Sequence, residues 1–312
     1  MARSIVAESP SINYWLARTH SASKTIAYIG TFVVSSGGAM SSAKVFHACE
    51  GDRQIERVET LSGPPRSIFR HNDQVVTFLI DQKVVRSERR DSLGAFPGLL
   101  DSNDTRIADF YRARHEGVAR VAGVAADVTT LIPKDSKRFG YRVWTEQRRG
   151  LLVKSQTLDS NGKVLEQSAF SELQLDAPVR VDQLMQMMAN LEGYRVENTD
   201  LVKTTAASEG WALRVPVAGF MPLHFYRRPV GNSNGAQGAD ALQWIFSDGL
   251  ASVSIFVEPS DSQRQQSEGG GSVGATQTLT RQIENYWLTL VGEVPMGTLR
   301  LFADSLERRA SK

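Results

Sequence analysis

Apolar and polar residues alternate along most of this chain in short runs, and turn-forming residues separate the runs. A period of two is what a half-buried strand requires, because successive side chains point to opposite faces. In the first half this patterning covers residues 26–34, 44–49, 55–61, 67–70, 75–80 and 83–86. Ser35-Ser36-Gly37-Gly38 turns the first run, and Gly63-Pro64-Pro65 ends the third, since no strand interior tolerates that sequence. The pattern resumes over 117–132, 141–146, 151–158 and 163–175. Arg148-Arg149-Gly150 makes one hairpin turn there, and Asp159-Ser160-Asn161-Gly162 another, its Asn-Gly pair accepting the positive φ of a tight turn. Further on, Leu242–Phe246 and Ala251–Val257 flank Ser247-Asp248-Gly249, where Asp bonds its own backbone and Gly supplies positive φ. Two more runs cover 275–281 and 286–292.

Helical spacing occurs near both ends. Ser9-Pro10 is a helix start, after which Ile12, Trp15, Leu16 and Thr19 share a face over residues 10–22. Leu299, Phe302, Ala303 and Leu306 fall at i, i+3, i+4 and i+7. Shorter helices are expected over 104–112 and through Leu184, Met187, Met188 and Leu191. Many short strands at regular intervals predict a mainly β (α+β) protein. Its first part is a large antiparallel sheet or open barrel, and its second a smaller antiparallel sheet crossed by one helix. The expected boundaries are a first domain at 1–176, a linker at 177–209 and a second domain at 210–312. Residues 260–274 read as a polar, flexible loop.

At 312 residues the chain is long enough for two domains, each with its own core. No run of apolar residues is long enough to span a bilayer as a helix. Lys and Arg number 24 against 20 Asp and Glu up to Asp176, and 12 against 14 beyond it. That balance is too mild for a nucleic-acid binder and permits only a basic rim on the first half. Met1 to Pro10 carries one Arg and a three-residue apolar patch, which is not a signal peptide. The single Cys49 cannot form an internal disulfide and reads as a small buried apolar group.

Catalytic chemistry finds no foothold. Residues 269–274 satisfy both G-x-G-x-x-G and G-x-S-x-G, but each pattern works only between a strand and a helix, and here a polar stretch precedes and a strand pattern follows. They read as loop glycines. Five scattered histidines and one cysteine make no metal signature. The expectation is a binding protein, not an enzyme, with no cofactor and no metal.

The order of particular segments carries a resemblance. "YIGTFVV", "ERVETLSGPPRSIFRHNDQVVTF" and "YRVWTEQRRGLLVKSQTLDSNGKVLEQ" resemble the N-terminal domain of the MucB/RseB family. "WALRVPVAGFMPLHFYRRP", "WIFSDGLASVSIFVEP" and "GATQTLTRQIENYWLTLVGEVPMGTLRLFADSLE" resemble its C-terminal domain. The resemblance implies a LolA-like curved antiparallel half-barrel with helices on its concave face, followed by the smaller sheet. It implies a periplasmic negative regulator of a sigma-E type factor. Such a regulator binds the periplasmic part of a membrane-spanning anti-sigma factor (RseA/MucA type), shields it from site-1 proteolysis and releases it on sensing lipid, lipopolysaccharide or mislocalised lipoprotein. A homodimer is among the partners it allows. A periplasmic address requires an export signal, expected in a full-length form and absent from these 312 residues. The alternative is a periplasmic lipid or lipoprotein carrier.

Site residues follow as expectations. Tyr28, Phe32 and Phe78 would line an acyl-chain cavity, with Phe96 and Leu99 on an apolar lid broken by Gly94, Pro97 and Gly98. Arg86, Arg89 and Arg90 would meet an anionic head group. Trp211, Phe220 and Tyr226 would present exposed aromatic contacts to the protein partner. Trp287 reads as core.

Overall fold

The structure is a computed structural model that describes residues 12–89, 106–199, 201–228, 240–260 and 267–309. The chain opens with helix α1 (Ile12–Thr25) and six strands: β1 (Tyr28–Ser36), β2 (Ala39–Glu50), β3 (Arg53–Thr60), β4 (Arg66–His71), β5 (Gln74–Leu79) and β6 (Val84–Arg89). A four-residue helix α2 (Ile107–Phe110) precedes β7 (Tyr111–Val121), β8 (Val124–Pro133), β9 (Gly140–Glu146), β10 (Leu152–Leu158) and β11 (Val164–Leu175). Helix α3 (Val181–Ala189) and strand β12 (Arg195–Thr199) complete this part.

These twelve strands form one curved, open sheet in the order β12-β6-β5-β4-β3-β2-β1-β11-β10-β9-β8-β7. All neighbours run antiparallel except β12 beside β6, which is parallel. Short turns explain the sequential pairing; the two long-range joins among these strands are β1 with β11, Tyr28 opposite Leu175, and β12 with β6, Arg195 opposite Val84. Alternation distributes side chains to two faces of β8–β10. Val128, Trp144 and Val153 pack with Tyr28, Phe32, Val45 and Phe170 on one face. Leu131, Val143 and Leu152 pack with Trp15 and Leu16 of α1 and Ile107 of α2 on the other.

The stretch expected to be a linker is largely built into this first sheet. Val181, Leu184 and Met188 of α3 are buried against Ala48, Ile55, Phe69, Phe78 and Val85, and β12 extends the sheet edge along β6. The apolar spacing of α3 is therefore a packing signal. The strand after it was missed because Arg195–Thr199 is short, polar and parallel to its partner, so no hairpin turn announces it. Cys49 is half-buried, not buried, and burial together with Glu50 pushes its thiol pKa up.

The second part comprises β13 (Val202–Lys203), β14 (Trp211–Leu213), β15 (Met221–Arg228), β16 (Ala241–Ser247), β17 (Ser252–Pro259), β18 (Gly269–Val273), β19 (Thr276–Ile283), β20 (Tyr286–Gly292), helix α4 (Met296–Ser305) and β21 (Leu306–Arg308). Seven of the strands make a sheet in the order β13-β15-β16-β17-β20-β19-β18. Helix α4 lies across it, with Leu299 and Phe302 fully buried against Phe246, Ile255 and Leu290. Burying each such side chain stabilises the domain by about 1.5–3 kcal/mol. Trp211–Leu213 pairs with Leu306–Arg308, which ties the start of the domain to its end. The glycine-rich run 269–273 is strand β18 and not loop. Three of its five residues are glycines, so alternation could not reveal it, and its pairing with β19 is made through the backbone.

Candidate functional site

Two features of the fold carry the functional argument: an apolar face on the first sheet and a polar joint between the domains.

On the apolar face Tyr28 and Phe32 stand on the same side of β1, two turns of the pleat apart, with Gly30 between them. The ring of Phe170 from β11 lies over that glycine. Its centroid is 5.9 Å from that of Tyr28 and 6.3 Å from that of Phe32, edge-on to both. A Cβ on Gly30 would fall 2.5 Å from Phe170, so only glycine lets the ring close over the strand. Around this trio Val34, Val58, Val121, Val124, Leu173 and Leu175 are only partly covered. Phe170 and Trp144 were not singled out from sequence; the glycine between two aromatics was the available signal of a close approach.

Phe78 does not join this face. It is buried with Phe69 and Tyr194, at centroid distances of 5.6 and 5.3 Å, in the core beneath α3. Arg86 and Arg89 go with Phe78: their strand β6 is separated from β1 by four strands of the sheet. Arg86 is exposed and its Nε donates to Glu197 at 3.0 Å, so its charge is already answered. Other cations of the expected rim are paired as well, Arg149 with Asp176 and Arg114 with Glu116. Arg90, Phe96 and Leu99 lie outside the described residues.

The aromatic residues expected to be exposed on the second domain are interior. Trp211 is 2% exposed, Phe220 4% and Tyr226 4%. Trp211 meets Tyr286 edge-on at 5.3 Å and is capped by the Arg308 guanidinium at 5.2 Å. The physical reason is size: a domain of about a hundred residues needs its few large aromatics for its own core. Trp287 is buried too, as expected.

The joint between domains centres on Arg138, in the β8–β9 connection, and Asp248, at the tip of the β16–β17 hairpin. Both side chains are fully buried, and Arg138 Nε donates to Asp248 Oδ2 at 2.7 Å. The same Oδ2 accepts from the Tyr111 hydroxyl at 3.1 Å. Asp248 Oδ1 accepts the backbone N–H groups of Leu250 and Ala251 at 2.9 and 2.7 Å, closing the turn. One carboxylate thus shapes its own hairpin with one oxygen and docks it to the other domain with the second. Arg138 also donates to Asp135 and to the Ala218 carbonyl at 3.0 Å. Its guanidinium is held between the rings of Phe110, 4.3 Å away, and Phe220, 5.0 Å away, one from each domain. Burial pushes the Tyr111 hydroxyl pKa well above its ordinary value. Thr298 of α4 adds a bond to the Lys137 carbonyl at 2.9 Å.

A second contact joins the turn after β18 to the other domain. A Cβ on Gly274 would lie 1.9 Å from Ser36 Oγ and 3.0 Å from Glu166 Oε2. Ser36 in turn donates to Glu166 at 2.8 Å. The glycine therefore serves close approach between domains. Among the described residues no group of histidine, cysteine and carboxylate side chains is arranged to hold a metal ion.

Set against known proteins, the two halves match two adjoining family profiles. Residues 11–188 match the MucB/RseB N-terminal domain and residues 205–307 the MucB/RseB C-terminal domain. The chain belongs to the MucB/RseB family. Among curated members it is 28% identical over 306 residues to the sigma factor AlgU regulatory protein MucB of Pseudomonas aeruginosa, an alignment covering 95% of this chain and 91% of that one. To the sigma-E factor regulatory protein RseB of Escherichia coli it is 22% identical, covering 97% and 93%. The crystal structure of MucB in complex with MucA(peri) superposes with a TM-score of 0.71 at 25% identity, covering 96% of this chain and 99% of that one. The Pseudomonas aeruginosa MucA/MucB complex gives 0.73 with the same coverage. The MucB/RseB likeness thus extends over both domains.

Proposed function

We propose that this protein is a periplasmic negative regulator of sigma-E type signalling, which binds the periplasmic part of a membrane-spanning anti-sigma factor and releases it when lipid occupies the first domain. One observation carries the reading: both domains align together with MucB in its complex with MucA(peri). A partner that engages both domains would be held in proportion to how firmly the Arg138–Asp248 joint fixes their relation, which gives the joint a regulatory role.

The lipid arm is supported by the half-covered apolar rim around Tyr28, Phe32 and Phe170. An acyl chain laid there would remove Val34, Val121 and Leu173 from water, at about 25 cal/mol per Å² of apolar area. For lipid to release the partner it must bind the partner-free form more tightly, and the partner must weaken lipid binding by the same factor. The carrier alternative uses the same face but leaves residues 202–308 without a task.

The test is calorimetric titration of the full chain with the periplasmic segment of an anti-sigma factor, with and without a lauroyl-chain lipid. Binding that weakens about 5- to 150-fold with lipid supports the regulator. Absence of binding to the segment, with lipid still taken up, favours the carrier. Replacing Phe96 and Leu99 by Asp tests the lid: the double variant should hold the segment but lose the response. An unchanged response removes these two residues from the site.

A further inference from the structure

We propose that the outer edge of β18 is a docking surface, on which an extended, acidic stretch of a protein partner adds as a further strand. β18 is the last strand of its sheet, has β19 on one side only, and is exposed at all five positions. Sheets commonly blunt such edges with lysine, proline or a bulge, because free N–H and C=O groups invite another chain. Gly269–Val273 carries no charge and no proline, and its register with β19 is unbroken.

The turn fixes which backbone groups are free. Val273 and Thr276 close a two-residue hairpin, with Gly274 at a φ of +59°. The closing residues of such a turn exchange hydrogen bonds, and bonded pairs alternate along an antiparallel ladder. Gly271 with Thr278 and Gly269 with Thr280 are therefore the next bonded pairs. The N–H and C=O groups of Gly270 and Ser272 point outward, to the open edge.

Beside that edge lies a groove of about 480 Å³, bounded by β18, β19 and the first turns of α4. Gly270, Ser272, Leu279 and Met296 line it, and Arg300 is the only ionisable group among its lining residues. An added strand sends alternate side chains to the α4 face, and so into this groove. Among the described residues Arg300 makes no ion pair, whereas Arg281 on β19 is paired with Asp304. An unanswered guanidinium beside apolar contacts is matched by a carboxylate flanked by apolar residues. The same charge disfavours a second copy of this chain, since two-fold pairing of β18 would set two Arg300 guanidinium groups along one seam. The edge also reaches the other domain. A Cβ on Gly37, in the β1–β2 turn, would fall 3.2 Å from Val273 Cγ1. A strand laid along β18 would meet that turn, and so touch both domains.

The assignment rests on the regulator reading in one respect, that an anti-sigma segment is bound at all. Calorimetric titration of the full chain with the periplasmic segment of an anti-sigma factor compares wild type, Ser272→Pro, Ser272→Ala and Arg300→Glu. Proline removes the outward N–H of Ser272, a position where an edge strand tolerates it without losing its inner pairing. It should weaken binding about 2- to 12-fold, the worth of one hydrogen bond. Ser272→Ala keeps that N–H and should bind like wild type. Arg300→Glu should weaken binding about 2- to 5-fold, less so at high salt, and it keeps the test available if the proline variant folds poorly. Hydrogen exchange should show the Gly270 and Ser272 amides gaining protection when the segment binds. Binding that is unchanged in both Ser272→Pro and Arg300→Glu overturns the edge assignment and leaves the regulator standing. A wild-type chain that does not bind the segment removes both. A dimer of the free chain that Ser272→Pro dissociates gives the edge to a second copy and overturns the proposal.

Discussion

Replacing Asp248 by Asn removes one charge from the buried joint and nothing else from its shape. Asp248 accepts four hydrogen bonds: two from its own turn, one from Tyr111 and one from Arg138. Asn has a single acceptor oxygen. If that oxygen stays on the N–H groups of Leu250 and Ala251, the amide nitrogen faces Tyr111 and Arg138. The tyrosine hydroxyl can rotate to accept; the guanidinium can only donate. Arg138 then loses a charge-assisted bond worth about 1.5–3 kcal/mol and half of its counter-charge. Breaking a buried pair costs about 3–5 kcal/mol when the surviving ion is left alone. Here Asp135 still holds one nitrogen, and the Ala218 carbonyl another. The expected loss in docking is therefore about 2–4 kcal/mol, roughly a 30- to 900-fold fall in the docked-to-separated ratio. Scanning calorimetry should show the variant melting in two resolved transitions, and hydrogen exchange should speed at residues 134–139. A single transition at the wild-type temperature with unchanged exchange would refute the argument and reduce the ion pair to a passive contact.

Gly219→Ala should weaken the same joint by a different route. Its φ of +87° is unfavourable for alanine, and the new Cβ would fall 1.8 Å from Arg138 Nη2 and 2.8 Å from Phe110. A loss of about 1–3 kcal/mol is expected in chemical denaturation, larger than for the same change at Gly271, where an added Cβ meets nothing within 4 Å. Trp211→Ala should destabilise the second domain by about 3–5 kcal/mol, because the side chain is core and not contact surface. Urea unfolding checks this; a variant of native stability that had lost only partner affinity would restore Trp211 to the interface.

The sequence by itself determined the elements and the family. Period-two alternation located most of the long strands, since a strand with one face in a core and one in solvent must alternate; it began β7 at 117 and not at Tyr111, and ran it into β8 across the turn at 122–123. Gly37-Gly38, Asn161-Gly162 and Ser247-Asp248-Gly249 marked turns because their backbones need positive φ or a local side-chain acceptor, and Gly37, Gly162 and Gly249 do have positive φ. Among the elements that escaped, two lack that signature: β18 has glycine at three of its five positions, and β12 is a polar strand joined in parallel. What only the tertiary structure decided is which face is covered and by what. Tyr28 and Phe32 share a side by parity, but Phe170 reaches them from 138 residues away along the chain, through the β1–β11 pairing. Phe78 was grouped with them on residue type, and the position of its strand in the sheet sends it beneath α3. Trp211, Phe220 and Tyr226 look alike as core or as contact, because a side chain's burial depends on what packs over it. Nothing in its local sequence distinguishes Arg138 from other cations of polar connections. It becomes the centre of the joint because the Asp248 hairpin, folded locally, meets it across the domain boundary, a long-range contact that no local pattern encodes.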